Sequence, residues 1–221
     1  MDGTGELFER FIARALAGYR PIAVRLPLLA KYDELDAVIE LPKEPFTIVA
    51  ESFSGPLGIR IATRAAGRVE ALIFSNTFAD HARNPLCTLL PWSMMFRLGT
   101  PRWITRRYLL GSFMDAENLA AVKAAGAQVS PALMAQRVRA TLRVDDRELL
   151  GRLRIPLLYL RGTEDRLVLE GSVERMQRAN PAILRSDLPA PHLLLQTVAE
   201  EAWSHIDAFI RMSAQRQGGF R

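Results

Sequence analysis

The spacing of apolar residues changes repeatedly along the chain. Apolar positions at helical spacing predict an amphipathic first helix over residues 6–19, with Gly18 at its end. Short apolar runs predict strands at 21–28, 46–50, 69–75, 155–160 and 183–188. Helical patterns lie between or after these runs, at 31–41, 55–66, 171–178 and 198–212. Strands that alternate with helices predict an α/β fold with a mostly parallel, doubly wound sheet.

The alternation stops between Phe78 and Leu150. This stretch holds four separated prolines, and its helical patterns cover residues 89–98, 102–110, 117–125 and 131–143. A helical stretch between two strands of one sheet predicts an insertion. We therefore expect residues 1–78 and 151–221 to form the core, and residues 79–150 to form a helical insertion.

Composition narrows the class of protein. The 221 residues are 49% hydrophobic and 24% charged, which is typical of a globular chain that buries a core. The net charge is +5, but nearly all of the basic residues are scattered arginines, with one denser group at Arg102, Arg106 and Arg107. Scattered arginines favour solvated faces and argue against a nucleic-acid partner.

Two further absences in the sequence bear on its chemistry and location. The single cysteine, Cys87, excludes an internal disulfide framework and a cysteine-based zinc site. No run of about 18 apolar residues occurs, and no signal-peptide pattern follows the start. We therefore expect a cytoplasmic protein without stable membrane insertion.

Ser52 lies between a predicted strand and a predicted helix. Ala50 and Ser54, two positions to either side, are small, as in a nucleophile elbow, where a strained serine leaves no room for larger neighbours. The Phe53 amide at the helix start would then stabilise an oxyanion. An ordinary helix start with a serine cap is the alternative explanation. Ser54 is the less favoured nucleophile because Pro56 follows at a position that must be small.

A serine nucleophile needs a base, and the sequence holds three histidines. His192 follows the last predicted strand, at the edge of a parallel sheet where functional residues collect. His205 lies inside the last predicted helix, and His81 lies in the predicted insertion. Solvated or packing roles are expected for both, so His192 is the candidate base.

The candidate acid is Asp165, which directly follows the strand at 155–160. A carboxylate there could hold the imidazole through its Nδ1–H, although a simple turn aspartate is the alternative. Asp80, after the strand at 69–75, is the second choice. Glu51 and Glu164, each next to a candidate residue, are interpreted as surface acids.

With serine, acid and histidine in this order, the sequence resembles the α/β-hydrolase superfamily, in particular its cytoplasmic esterase-like members with a helical cap. The segment AESFSGPLG is similar to the family's elbow, GTEDRLV to its acid loop and APHLLLQ to its histidine loop. The resemblance implies that Ser52 is the nucleophile, Asp165 the orienting acid and His192 the base. It also implies that the insertion is a cap over the active site.

The opening segment MDGTG is similar to the family's Pro-Gly-x-Asp-Gly-Thr-Gly loop, which supplies a second oxyanion donor. By this resemblance the donor would come from Met1 or Asp2. Two features depart from the family pattern, since Ala50 replaces the first glycine of the elbow, and the Pro-Gly pair and the strand before it are missing. We therefore expect that the start of the chain is misassigned or truncated.

Apolar residues of the insertion predict a roof over an apolar substrate. They are Leu86, Leu89, Leu90, Trp92, Met94, Met95, Phe96, Trp103 and Ile104. Packing of the insertion on the core is the alternative explanation for most of them. We expect Trp92, Met95 and Trp103 to contact the substrate.

The sequence as a whole predicts a serine hydrolase that cleaves small-molecule carboxylic esters with apolar acyl or aryl groups through an acyl-enzyme. No metal or cofactor is expected. A thioesterase, a carbon–carbon bond hydrolase and a catalytically silent binding protein are the alternatives, because one fold hosts many activities.

Overall fold

The computed structural model describes residues 1–80, 87 and 89–218. Within these residues a four-stranded parallel sheet forms, in the order β1-β2-β3-β4. The strands are β1 (Phe46–Glu51), β2 (Val69–Ser75), β3 (Leu157–Gly162) and β4 (Ile183–Leu188). The predicted α/β class with a parallel sheet is confirmed, and four of the five predicted strands are present.

Eleven α-helices lie in the described part of the chain. They are α1 (Glu9–Ala13), α2 (Tyr32–Val38), α3 (Ser54–Arg64), α4 (Trp92–Arg97), α5 (Arg102–Thr105), α6 (Ala116–Ala127), α7 (Pro131–Thr141), α8 (Arg147–Arg152), α9 (Glu170–Ala179), α10 (Leu194–Thr197) and α11 (Ala199–Gly218). A π-helical turn, Arg106–Leu110, continues α5, and short 3₁₀ turns occupy Glu6–Phe8 and Gly111–Phe113. The short helices α8 and α10 were not predicted from the sequence.

The sheet is covered on both faces because successive strand residues point in opposite directions. On β2, Ala71 and Ile73 belong to a core cluster with residues of α1, α10 and α11. Leu72 and Phe74 belong to a second cluster with residues of α3, α8 and α9. Burial of β2 and β3 between these clusters explains their nearly continuous apolar sequences. β1 is an edge strand, and residues 46–49 are only half-buried.

Five helices, α4 to α8, lie among the described residues between β2 and β3. The helical patterns predicted in this stretch correspond to α4, to α5 with its π-helical continuation, to α6 and to α7. Caps support two of these helices, since the Asp115 side chain accepts from the Asn118 amide and the Ser130 side chain from the Leu133 amide. His81 and Leu86 lie outside the described residues.

The beginning of the chain differs from the predictions. The first helix ends at Ala13 and does not reach residue 19. Beyond it the chain turns, and the Tyr19 hydroxyl donates a hydrogen bond to Asp207 on α11 at 2.8 Å. Residues 14–19, which were predicted to continue the helix, instead bring Tyr19 into contact with α11.

The predicted strand at 21–28 is wrong, because this segment is irregular. Pro21 and Pro27 lack the N–H groups that a strand ladder needs. Three of its apolar side chains are exposed, those of Ile22, Val24 and Leu28. The segment is instead held by single contacts, such as the Leu26 amide donating to the Gly3 carbonyl at 2.7 Å.

Across the described ranges, no helix is long and apolar enough to cross a membrane.

Candidate active site

Ser52 occupies a strained turn between β1 and α3. Its φ is +52°, in the left-handed region that L-residues other than glycine rarely adopt. The backbone fixes this conformation, since the Ser52 amide donates to Ser75 O at 3.0 Å and the Ser52 carbonyl accepts from the Thr77 hydroxyl. A side chain at Gly55 would overlap Thr77, so the helix start approaches the next strand closely. The observed turn has the geometry expected of a nucleophile elbow.

A continuous chain of hydrogen bonds joins the three residues that the sequence singled out. Ser52 Oγ lies 2.8 Å from His192 Nε2, and His192 Nδ1 lies 2.9 Å from Asp165 Oδ2. Asp165 Oδ1 accepts from the amides of Leu167 at 2.7 Å and Val168 at 3.0 Å. His192 is 2% exposed and Asp165 is 7% exposed. Burial strengthens each of these polar contacts because water does not compete for them.

The arrangement allows a specific proton transfer. His192 Nε2 can accept the Ser52 hydroxyl proton when Asp165 holds the proton of the ring on Nδ1. Asp165 is kept in place by its two backbone donors, so it orients the imidazole from a fixed position. The geometry therefore fits activation of Ser52 as a nucleophile.

The alternative candidates are engaged elsewhere. Asp80 forms a bidentate pair with Arg175, whose Nε lies 3.0 Å and 2.8 Å from the two carboxylate oxygens. His205 is exposed on α11, with Nδ1 2.6 Å from the hydroxyl of Ser186. Ser54 Oγ donates to the Glu51 carbonyl at 2.7 Å. Of the carboxylates in the described ranges, Asp165 is the one hydrogen-bonded to the His192 ring.

Asn76, which the sequence analysis missed, joins the two loops of the site. It is buried directly after β2 and has a φ of +41°. Its Nδ2 donates to the carbonyls of Pro191 at 2.8 Å and His192 at 2.9 Å, and its Oδ1 accepts from the Gly162 amide at 2.7 Å. The loop that carries His192 and the strand end that precedes Asp165 are therefore held by one side chain. An asparagine after a strand resembles a turn residue, so the sequence carried no separate signal for this role.

Replacing Asn76 by alanine is expected to lower kcat about 10- to 100-fold, because both loops lose the amide that sets their spacing. Asn180 is a matched control, since its amide makes three similar bonds, to Leu150 O, Leu153 O and the Ala182 amide, and none of these bonds holds the loop of Asp165 or of His192. Asn180→Ala should lower the melting temperature by a similar amount with kcat retained. Steady-state assays well below both melting temperatures measure kcat of the two variants. Equal kcat values would show that Asn76 has only a structural role.

The predicted oxyanion donor Phe53 is buried at the start of α3. Its carbonyl accepts from the Tyr32 hydroxyl at 3.0 Å, and the two rings stack at 4.9 Å. No acceptor in the described part of the chain is hydrogen-bonded to the Phe53 amide. An unpaired amide at a helix N-terminus is the arrangement that stabilises a negative oxygen.

Arg137 on α7 holds the opening segment that contains Met1, the second predicted donor. The guanidinium is buried and donates to four backbone carbonyls, those of Met1 at 3.0 Å, Asp2 at 2.7 Å, Pro27 at 2.7 Å and Leu29 at 3.0 Å. It also lies over the Phe53 ring, 5.8 Å from its centroid. Burial lowers the pKa of Arg137 from its ordinary value, against the raising effect of Asp2. Through Arg137 the segment between β2 and β3 is tied to the chain start and packs beside the elbow.

The predicted substrate contacts lie on α4 and α5. Trp92 is half-buried, and its Nε1 donates to the Cys87 carbonyl at 2.8 Å. Met95 is 43% exposed and Trp103 is 64% exposed. Leu89, Leu90 and Met94 of the predicted roof are exposed as well. A role for these side chains in substrate binding stays a prediction.

The described residues form two surface clefts of about 600 Å³ each. One lies between the segment at residues 28–34 and α7, and the other beside α8 and α9. Neither is lined by Ser52, Asp165 or His192. In the ranges that the structure describes, no group of three or more His, Cys, Asp or Glu side chains is arranged to hold a metal ion.

The interpretation of Glu51 as a surface acid is wrong. Glu51 is 6% exposed at the end of β1, where the sheet meets α10. The sequence suggested exposure because the residue is charged and precedes a turn, whereas the fold covers this turn with the segment that follows His192. Glu164, by contrast, is exposed as expected.

No protein-family profile matches the chain, and no curated protein sequence matches it. Solved structures do resemble it. An esterase (EaEST) from Exiguobacterium antarcticum is 14% identical, with a TM-score of 0.82 over 95% of this chain and 88% of that one. A bromoperoxidase from Bacillus anthracis is 18% identical, with a TM-score of 0.76 over 94% and 88%. A lipase-esterase related protein from Clostridium acetobutylicum ATCC 824 is 14% identical, with a TM-score of 0.73 over 94% and 91%.

These structures are members of the α/β-hydrolase superfamily. Their similarity extends over nearly the whole of this chain. It agrees with the parallel sheet covered by helices on both faces. The chain therefore has the α/β-hydrolase fold.

Proposed function

We propose that this protein is a serine hydrolase that cleaves carboxylic esters, with Ser52 as nucleophile, His192 as base and Asp165 as orienting acid. The observation that carries the proposal is the hydrogen-bonded series Ser52–His192–Asp165 at a strained turn. Glycine adopts a φ of +52° without strain, whereas serine is strained there. A serine at this position therefore supports a functional role for its hydroxyl.

In the proposed reaction, Ser52 Oγ attacks the ester carbonyl while His192 Nε2 takes the hydroxyl proton. The tetrahedral oxyanion would be stabilised by the Phe53 amide, with a second donor from the segment at Met1 and Asp2. His192 then gives the proton to the leaving alcohol oxygen, which leaves an acyl-enzyme on Ser52. Water, deprotonated by His192, attacks the acyl carbonyl, and the carboxylic acid departs as Ser52 regains its proton.

The helices between β2 and β3 are proposed as a cap, with residues 79–150 as its extent. Two contacts support this placement. The Leu193 amide, next to His192, donates to the Leu109 carbonyl at 3.0 Å. A Cβ at Gly111 would lie 3.2 Å from the Pro191 side chain and 3.3 Å from the Glu164 carboxylate, so the two loops of the site meet this segment at close range. An apolar acyl or aryl group would contact Trp92, Met95 and Trp103.

The choice of ester as substrate class has two supports. Of the three similar structures described above, one is named an esterase and another a lipase-esterase related protein. The site itself provides a nucleophile, a base and an oxyanion donor, which are the groups that acyl transfer needs. Thioesters would follow the same steps, so a substrate panel must separate the two.

A fluorophosphonate probe tests the proposal, because it reacts with an activated serine. We expect the adduct to map by peptide mass spectrometry to Ser52, and the labelled protein to lose hydrolysis of p-nitrophenyl esters. Ser54→Ala is the matched control, since Ser54 Oγ faces the Glu51 carbonyl, and it should label like the wild type. An adduct on another serine, or no adduct and no hydrolysis, would refute the proposal. Acyl thioesters assayed in parallel assign the leaving group.

A further inference from the structure

Glu51 is a buried carboxylate that the proposed mechanism does not use. It precedes Ser52 and ends β1, and it is 6% exposed. A buried carboxylate is costly unless hydrogen bonds or charges compensate for the lost water. Its partners therefore indicate what the residue does.

Three groups are hydrogen-bonded to the carboxylate. Oε1 accepts from the Leu195 amide at 3.1 Å and from the Ser75 hydroxyl at 3.2 Å, and Oε2 accepts from Gln196 Nε2 at 2.8 Å. Two of the three donors are N–H groups, which can only donate. These contacts suit an ionised carboxylate.

The contacts also connect the nucleophile to the base. Leu195 and Gln196 lie on α10, which begins two residues after His192. Glu51 is covalently next to Ser52. One carboxylate thus joins the strand end that carries the serine to the helix that fixes the histidine loop.

Glu51 and His192 also interact through charge. Burial raises the pKa of Glu51, while the Gln196 and Leu195 hydrogen bonds and the charge of His192 lower it. Glu51 directly precedes Ser52, whose Oγ lies 2.8 Å from His192 Nε2, so its carboxylate lies on the side of the ring that takes the proton, where opposite charges attract. The amino group of Met1 also lies within electrostatic range of Glu51. Asp165 is the other carboxylate that faces His192, from the opposite nitrogen of the ring.

Retaining this charge is unfavourable for stability. The Gln196 amide oxygen is buried and has no partner among the described residues, because the amide nitrogen is turned toward Glu51. Since the pKa of Glu51 is raised in the folded state, its contribution to the free energy of unfolding falls as pH rises from the unfolded value through the folded one. A neutral residue of the same shape would avoid this loss, which points to a functional reason for the acid.

We propose that Glu51 is a positioning residue that holds the histidine loop and stabilises the positive charge that His192 acquires during acyl transfer. This inference rests on the proposed function, in which His192 takes the Ser52 proton. The inference assigns Glu51 an electrostatic role in addition to that of Asp165. The Glu51 carboxylate would act from the side of the imidazole that faces Ser52.

Glu51→Gln separates charge from shape. The amide introduced at position 51 can accept from Leu195 and Ser75 and donate to Gln196 Oε1, once Gln196 turns its amide over. With an ester substrate we expect kcat to fall about tenfold, with KM within about twofold. The midpoint of the acidic limb of the kcat/KM–pH profile should move to lower pH, because a less stabilised imidazolium forms only at lower pH. The melting temperature at pH 8 should equal or exceed that of the wild type.

Glu70→Gln is the control for a change in net charge, since Glu70 is an exposed acid of the same sheet. It should leave kcat, the acidic midpoint and the melting temperature unchanged. Glu51→Asp retains the charge with a shorter side chain, so its acidic midpoint should stay closer to that of the wild type than the midpoint of Glu51→Gln.

An NMR titration of the His192 imidazole protons measures the interaction between Glu51 and His192 without any substrate. If the wild type hydrolyses esters but neither the NMR nor the kinetic midpoint moves in Glu51→Gln, the inference is overturned and the proposed function stands. If no variant or wild type hydrolyses esters but the NMR midpoint moves down, the electrostatic coupling stands and the proposed function fails. A fall in kcat with a lower melting temperature and an unmoved midpoint would reduce Glu51 to a structural residue, against the inference.

Discussion

Replacing Ser52 by alanine is expected to lower kcat for a carboxylic ester by about 10⁵-fold or more, because no other group in the site can form the acyl-enzyme. The loss should be specific to chemistry. The Ser52 backbone bonds to Ser75 and Thr77 do not depend on its side chain, so the variant should fold and unfold cooperatively. Steady-state hydrolysis with purified protein, together with thermal unfolding, measures both quantities.

Two variants accompany this experiment. Ser54→Ala, which removes the neighbouring hydroxyl, should retain kcat within a few fold of the wild type. Ser52→Gly should be as inactive as the alanine variant but more stable than it by about 1 kcal/mol, since glycine at φ +52° is not strained. Activity in Ser52→Ala close to that of Ser54→Ala would remove Ser52 from the mechanism.

Asp165→Asn is expected to lower kcat about 10⁴-fold with little change in structure. The introduced amide can keep its oxygen toward the Leu167 and Val168 amides, as Asp165 Oδ1 does now. Its NH₂ group would then face His192 Nδ1, which accepts that hydrogen bond only if the ring proton moves to Nε2. In that tautomer Nε2 cannot take the Ser52 proton.

Asp80→Asn provides the matched control for the second aspartate that the sequence suggested. It disrupts the pair with Arg175 and should lower the melting temperature, while kcat well below that temperature is retained. The kcat values of Asp165→Asn and Asp80→Asn are compared at one pH near 8. A larger fall in kcat for Asp80→Asn than for Asp165→Asn would contradict the assignment of the acid.

Much of the fold could be predicted because its signals are local. β2 and β4 have the predicted bounds, and α3 differs from its prediction by one or two residues at each end. Their apolar runs are bounded by turn residues, and burial on both faces of the sheet maintains those runs. Where burial was one-sided or the partner distant, prediction failed, as at the segment 21–28, whose prolines and exposed side chains exclude a strand.

The candidate site divides in the same way. The order of Ser52, Asp165 and His192 relative to the strands was enough to nominate them, since a parallel sheet gathers the ends of its strands at one edge. The small residues around Ser52 indicated the strained turn, because that requirement is local to the chain. The structure then placed the three within hydrogen-bonding distance, at 2.8 Å and 2.9 Å.

The sequence by itself thus determined the α/β class, the positions of the four strands and the three residues nominated for chemistry. Only the tertiary structure decided that Asn76, Arg137 and Glu51 are buried and which groups they contact. Each of these polar side chains makes its bonds to residues more than 80 positions away in the chain, apart from the Glu51–Ser75 contact. From sequence alone, a polar residue near a turn or on a helix face is predicted to be exposed to solvent. Its burial and its hydrogen-bond partners depend on segments distant in the chain, so only the folded structure shows them.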